Sequence, residues 1–127
     1  MPLTVQVDPE IKIIFVDGEG VVSDEDLLSY VEEYLDEKGL WSYDELFDLS
    51  HADLLDLTYA GLSAVATAAA ATDPDARPTK IAILVSESLG MGLSRMYQAL
   101  RESKGGRRYT RVFWDRAECR EWLGLSP

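Results

Sequence analysis

Lys80-Ile81-Ala82-Ile83-Leu84-Val85 is apolar at five consecutive positions and shows no polar–apolar alternation. Successive side chains of a strand point to opposite faces, so an unbroken apolar run of this length predicts a strand covered on both. Such strands belong to parallel sheets flanked by helices, and the flanking sequence agrees. Upstream, Thr58 precedes Leu62, Val65, Ala66 and Ala69 at helical spacing, in a stretch whose alanines favour helix. Downstream, Ser86-Glu87-Ser88-Leu89-Gly90-Met91-Gly92 turns into a further helix carrying Leu93, Met96, Tyr97 and Leu100. Parallel strands need such crossovers, and they are right-handed.

Further out, Leu3-Thr4-Val5-Gln6-Val7 alternates and breaks at Asp8-Pro9, and Ile11-Lys12-Ile13-Ile14-Phe15-Val16 stops at Asp17-Gly18. Together they predict a hairpin. Ser23-Asp24-Glu25-Asp26 has the spacing of a capping box, with Ser23 as N-cap and Asp26 reaching back. Leu27, Leu28, Val31, Tyr34 and Leu35 then form a helical stripe, Glu32, Glu33, Asp36 and Glu37 a solvated face, and Gly39 a stop. Glu45-Leu46-Phe47-Asp48-Leu49 reads as a third strand, followed by a loop to Thr58. Asp73-Pro74 and Arg77-Pro78 form the next loop. The last strand runs from Arg108 to Trp114, and Asp115 with Glu118 predicts a second capping box for a short helix carrying Cys119, Trp122 and Leu123. The expected fold is α/β, in the order β-β-α-β-α-β-α-β-α. It is one domain over residues 1–127, with a mostly parallel five-stranded sheet, an antiparallel first strand and packed helices.

The 127 residues are the size of one ordinary domain, with globular composition at 46% hydrophobic and 28% charged. A single cysteine and a single histidine exclude an internal disulfide and a Cys/His zinc cage; no metal site or cofactor is expected. Twelve Lys and Arg against 23 Asp and Glu give a net charge of −11, which repels nucleic acid and anionic lipid. The basic run Lys104-Gly105-Gly106-Arg107-Arg108, with Arg111, reads as a solvated turn. No apolar stretch approaches the roughly 20 residues of a membrane span, and residues 1–8 carry no leader pattern. A cytoplasmic protein is expected.

In an open parallel sheet, ligands bind beyond the carboxyl ends of the strands. The loop from Ser86 is the first candidate there. Gly90 and Gly92 permit close backbone approach, helix N–H groups attract anions, and Arg95 adds a cation. The run lacks the third glycine of a dinucleotide fingerprint and the Gly-Lys-Ser/Thr of a P-loop. The alternative is a tight turn with Arg95 paired to Glu87 or Asp115. Asp56-Leu57-Thr58 is the second candidate: Thr58 is an N-cap, and otherwise a phosphoacceptor or partner contact. His51 reads as an exposed, inert loop residue and Cys119 as a small packed hydrophobe. No nucleophile–base–orienter set can be assembled, so no catalytic residue is assigned and an enzyme is not expected.

The element order and several local motifs resemble the SpoIIAA-like proteins of the STAS/SEC14 type, small bacterial domains akin to anti-sigma factor antagonists. The resemblance spans nearly the whole chain. It rests on residues 13–20 leading into Ser23-Asp24-Glu25-Asp26-Leu27, on Leu46-Phe47-Asp48-Leu49 followed by Asp56-Leu57-Thr58, on Leu89-Gly90-Met91-Gly92-Leu93-Ser94-Arg95-Met96-Tyr97, and on Val112-Phe113-Trp114-Asp115 with Glu121-Trp122-Leu123. It implies a STAS-type sheet and a regulatory module that docks onto a kinase or sigma-regulating partner. It also implies a switch by phosphorylation at the start of the second helix, in an Asp-Ser-Ser-Gly-like run. Here that run reads Asp56-Leu57-Thr58-Tyr59-Ala60-Gly61-Leu62, which aligns Thr58 with the acceptor and replaces the adjoining Ser and Gly by Tyr59 and Ala60. The SEC14 branch implies a large apolar cavity, for which 127 residues leave little room. The leading expectation is therefore a non-enzymatic protein-interaction module using the strand-end face and the second helix. The alternative is a binder of a small apolar, anionic or lipid ligand at Ser86, Gly90, Gly92 and Arg95. Exposed aromatics at Trp41, Tyr43 and Trp114 would favour a homodimer.

Overall fold

The computed structural model describes residues 2–72, 78–103 and 108–127. Strands β1 (Leu3–Asp8) and β2 (Ile13–Gly18) form the expected antiparallel hairpin. Its turn is closed by the Asp8 carboxylate, which accepts the Glu10 and Ile11 N–H groups at 3.0 and 3.4 Å. β3 (Gly20–Ser23) leads into α1 (Asp24–Tyr30), and β4 (Asp44–Asp48) is followed by β5 (Ala52–Asp56) and α2 (Tyr59–Ala70). β6 (Thr79–Leu84), α3 (Ser88–Ser103), β7 (Arg108–Phe113) and α4 (Arg116–Trp122) complete the chain. The main sheet has the order β1-β2-β4-β6-β7, with every pair after the first parallel. β6 lies inside it, and residues 81–85 are all buried.

Side chains alternate between two apolar layers. Ile13, Leu46, Ala82, Leu84 and Phe113 face α4, where they meet Cys119 and Leu123. Ile14, Val16, Ile81 and Ile83 face the opposite side, which α1, α2 and α3 cover. Leu62, Val65, Ala66 and Ala69 of α2 are buried as their spacing predicts.

Two features depart from the expected order. First, residues 20–23 and 52–56 pair in parallel as a separate two-stranded sheet, so the loop expected before Thr58 contains a strand. The four residues of one strand, and the two aspartates among the five of the other, give too little β propensity to read. Second, α1 continues through Val31–Glu37 as a π-helix, whose Lys38 N–H donates to Glu33 O at 2.9 Å. Gly39 ends it at φ +67, as a stop glycine should. The Ser23–Asp26 capping box forms in full; Asp115 caps α4 through the Ala117 N–H at 3.2 Å. The loop over residues 73–77 and the 104–107 part of the basic turn lie outside the described residues. No helix among the described residues is long and apolar enough to cross a membrane.

Candidate functional site

The turns after the strands do meet along one rim. The Ser86 hydroxyl donates to Ser50 O at 3.1 Å, and Ser86, Glu87 and Gly90 border a cleft of about 50 Å³ with Asp53, Leu54 and Leu55. Gly90 is needed there, since a Cβ would stand 3.3 Å from the Val85 side chain. Gly92 faces open space, and Arg95 is exposed with no ion pair among the described residues, so the expected pairing to Glu87 or Asp115 is not made. The fold thus brings Ser86 and Gly90 together and leaves Gly92 and Arg95 outside the cleft. The charged residues on its wall, Asp53 and Glu87, are acidic.

Thr58 is committed to structure. Its hydroxyl accepts the Gly61 N–H at 3.0 Å and donates to Asp24 Oδ2 at 2.9 Å, and its own N–H points at the same carboxylate. Pairing of Ser23 with Asp56 sets the starts of α1 and α2 side by side, so Asp24 sits at the positive end of α2. A phosphate on Thr58 would face this carboxylate. Asp56 itself is exposed at the end of β5.

His51 is exposed, as expected, yet it has neighbours that sequence separation hid. Its Nδ1 lies 3.5 Å from Asp17 Oδ1 and 3.8 Å from Asp48 Oδ2, and the three side chains offer metal-ligating atoms within 4.8 Å of one another. Asp48 already holds the Ser50 hydroxyl and N–H and accepts from Arg116 Nη2 at 2.6 Å. Burial alone would raise the Asp48 carboxyl; the Ser50 and Arg116 bonds outweigh it and hold the group below the usual range. Cys119 is fully buried, and burial, with the Asp48 charge beside it, pushes its thiol up to about 11.

A second site lies under the helices, on the opposite face of the sheet from α4. Glu45 and Phe47 point there, together with Ile81 and Ile83 of β6. They wall a cavity of about 60 Å³ whose other sides come from Tyr30, Val31 and Leu35, from Leu62, Val65 and Ala69, and from Leu93, Ser94 and Tyr97. Only a few polar side chains interrupt this wall, and Glu45 is the charged one. It is 1% exposed. The Tyr30 hydroxyl donates to Glu45 Oε1 at 2.7 Å, and Arg108 Nη1 lies 3.2 Å from Oε2. Arg108, itself buried, also donates from Nη1 to Tyr43 O and Thr79 Oγ1 and from Nη2 to Trp41 O. Burial first, then the Glu45 charge, raises the Tyr30 phenol well above its ordinary range, so it stays a donor.

Neither Glu45 nor Tyr30 stood out in the sequence. The strand around Glu45 carried a signal nonetheless. Alternation puts Glu45 on the face of Phe47, and an acid on a face meant for burial demands a partner. Of the aromatics proposed as dimer surface, Trp41 and Trp114 are exposed and Tyr43 is half-buried.

The sequence matches no family model and no curated protein. The structure is similar to that of an uncharacterized protein from the DUF3478 family of Shewanella loihica, described as having a SpoIIAA-like fold. The TM-score is 0.58 at 15% identity, covering 95% of this chain and 91% of that one. At such identity the likeness concerns the fold and not the activity. Strand order, the antiparallel first strand and near-complete coverage together give the conclusion that the chain has a SpoIIAA-like fold.

Proposed function

We propose that this domain is a non-catalytic binding module for a small, largely apolar molecule held between the sheet and helices α1, α2 and α3. The observation that carries the reading is the cavity of about 60 Å³ behind Glu45 and Phe47. Protein interiors close to near-crystalline density. Room several times the roughly 10–15 Å³ that one water needs, walled mainly by apolar side chains, is therefore space suited to an apolar guest. The π-helical stretch contributes Val31 and Leu35 to that wall, and such stretches recur at functional sites. The non-catalytic half of the reading is supported by Cys119, a sealed thiol whose raised pKa keeps it out of nucleophilic chemistry. On this reading the ligand lies under the helices and not at the glycine turn.

The test is thermal melting with toluene and octan-1-ol as probes, for the wild type and for Ala69→Leu, whose larger side chain fills the cavity. Binding to the folded state raises stability with ligand concentration. The wild type is expected to melt several degrees higher with saturating probe, and the variant to show no shift. No shift in the wild type, or equal shifts in both, overturns the reading.

A second reading, docking of a protein partner beside α2, is favoured by one observation. Val21 and Leu54 are register neighbours in the small sheet, each 51% exposed, and Tyr59 at the start of α2 is 64% exposed. Pull-down from the native host should recover a partner that Val21→Ser/Leu54→Ser loses; recovery of the same partner by both proteins counts against this surface.

A further inference from the structure

Asp17 and Asp48 stand at the carboxyl ends of β2 and β4, where open parallel sheets bind their ligands. The two are register partners on neighbouring strands, so their side chains leave the sheet on one face, the face that carries α4. Three residues beyond Asp48, a turn closed by the Ala52 N–H on Leu49 O at 3.3 Å brings His51 back over the strand ends. Its Nδ1 lies 3.5 Å from Asp17 Oδ1 and 3.8 Å from Asp48 Oδ2. Asp48 is nearly filled. Its Oδ1 accepts the Ser50 N–H and hydroxyl, its Oδ2 accepts Arg116 Nη2 at 2.6 Å, and of the roughly four acceptor positions of a carboxylate one is left, on Oδ2. Asp17 Oδ1 is out of solvent contact and accepts no hydrogen bond at all. Two carboxylate oxygens and an imidazole nitrogen thus gather at one point, with an acceptor among them that nothing in the fold satisfies.

We propose that Asp17, Asp48 and His51 form a binding site for a divalent transition-metal cation of the Zn²⁺ class. A tetrahedral ion with bonds of about 2.1 Å holds its ligand atoms about 3.4 Å apart. The separations of 3.5 and 3.8 Å are near that value, and the three side chains offer one ligand atom each within 4.8 Å of one another. The imidazole selects the class, since Mg²⁺ and Ca²⁺ favour oxygen ligands. Ser50 and Arg116 are positioning residues: they fix the Asp48 carboxylate, 8% exposed, as outer partners orient the ligands of metal sites. Two carboxylates against one guanidinium leave the cluster an excess of negative charge. The neighbour facing Asp17 Oδ1 is His51, whose side chain is 56% exposed, so the ring can turn aside into solvent and open that oxygen to an entering ion. A single histidine rules out a Cys/His cage but not this donor set.

The test is calorimetric titration of the untagged full chain with Zn²⁺ and with Mg²⁺, together with NMR of the imidazole. His51 is the only histidine, so one set of ring resonances reports on the site. The chain should take up one Zn²⁺ with the ring signals shifting in step, and Mg²⁺ should bind about a hundred-fold more weakly. His51→Ala and Asp17→Asn, both at half-exposed side chains, should each weaken Zn²⁺ binding by about ten-fold or more, at least the effect of losing a supporting partner. Glu32→Gln/Glu37→Gln, on the exposed acidic face of the first helix, should leave it unchanged. No one-to-one uptake of Zn²⁺, equal affinity for Mg²⁺, or affinity retained in either site variant overturns the proposal. Equal weakening by the Glu32/Glu37 variant also overturns it, since the ion is then held by diffuse surface charge. Should Asp17→Asn not fold, His51→Ala and the wild-type ring resonances still decide, because the loss of an exposed loop imidazole leaves the core intact.

Discussion

The two faces of the sheet solve the same packing problem differently. On the α4 face, alternate residues of the interior strands meet one short helix, and the contact is closed: Ala82 and Cys119 are fully buried, and Phe113 stacks at a tilt against Trp122 with ring centroids 5.7 Å apart. On the other face three helices cover the same strands, yet a cavity persists with Glu45 in its wall. More covering helix has produced looser packing. Apolar surface was available to fill the space, so the difference points to what the second face must keep, a charged pair with its hydrogen-bond partners, and to the wider π-helical turn placed over it.

The largest test of that contrast removes the cation. Arg108→Met keeps the volume and strands Glu45 as an unpaired buried charge, along with the Tyr43, Trp41 and Thr79 acceptors. Breaking a buried pair from one side costs about 3–5 kcal/mol. Urea denaturation should show a loss of this size, and Glu45→Leu combined with Arg108→Met should recover the part due to the unpaired charge but not the part due to the stranded acceptors. A single-variant loss under about 1 kcal/mol would mean that water reaches the Glu45–Arg108 pair, and the contrast between faces would weaken.

The next test adds volume to each face. Ala82→Leu forces a larger side chain into the closed layer and should cost about 1–3 kcal/mol. Ala69→Leu, on the cavity wall, should be near neutral or stabilising by the same measurement. Equal penalties at the two sites would show that the cavity closes in solution.

The helices over the roomy face are pinned at one point. The Asp24 carboxylate lies where a Cβ on Gly61 would stand, 2.0 Å away, and it receives both the N–H and the hydroxyl of Thr58. Gly61→Ala must expel Asp24 and should cost about 1–2 kcal/mol, in the range of a lost N-cap. Asp24→Asn, which keeps the side chain but weakens the acceptor, should cost less. If Gly61→Ala is neutral, α1 and α2 are not held by this contact. Thr58→Glu should destabilise for a related reason, since it sets like charge against Asp24.

The main sheet could be read from local pattern because burial writes itself into local pattern. The run through Ile81, Ala82, Ile83, Leu84 and Val85 reports two covered faces, and Ser23, Thr58 and Gly39 report helix ends from single residues. The cavity could not be read in this way. It depends on Tyr30, Glu45 and Ser94, which lie on three elements and meet only after folding, and a void has no residue of its own. The rim shows the opposite case. Gly90, Gly92 and Arg95 sit within six positions and suggested a site, but helical geometry points Gly92 and Arg95 to solvent. Of these three, Gly90 alone lines the cleft with Ser86. The small β3–β5 sheet was missed for want of length, and with it the reason Thr58 meets Asp24.

The smallest expected effect lies on the closed face, where α4 begins. Arg116 is half-exposed but donates to the nearly buried Asp48 carboxylate, which it helps hold below its ordinary range against the opposing push of burial. A carboxyl lowered on folding binds fewer protons folded than unfolded near pH 4, so its contribution is complete above the unfolded value of about 3.9 and fades as the pH falls through the folded value. Arg116→Gln leaves burial opposed by Ser50 alone. Solvent screening at Arg116 limits the loss to about 0.5–1 kcal/mol at neutral pH. Urea midpoints for wild type and variant should therefore differ above about pH 4 and converge in stronger acid. A gap that is constant with pH would mean that Arg116 supports α4 by packing and not through Asp48, and the closed face would then owe its order to apolar contact alone.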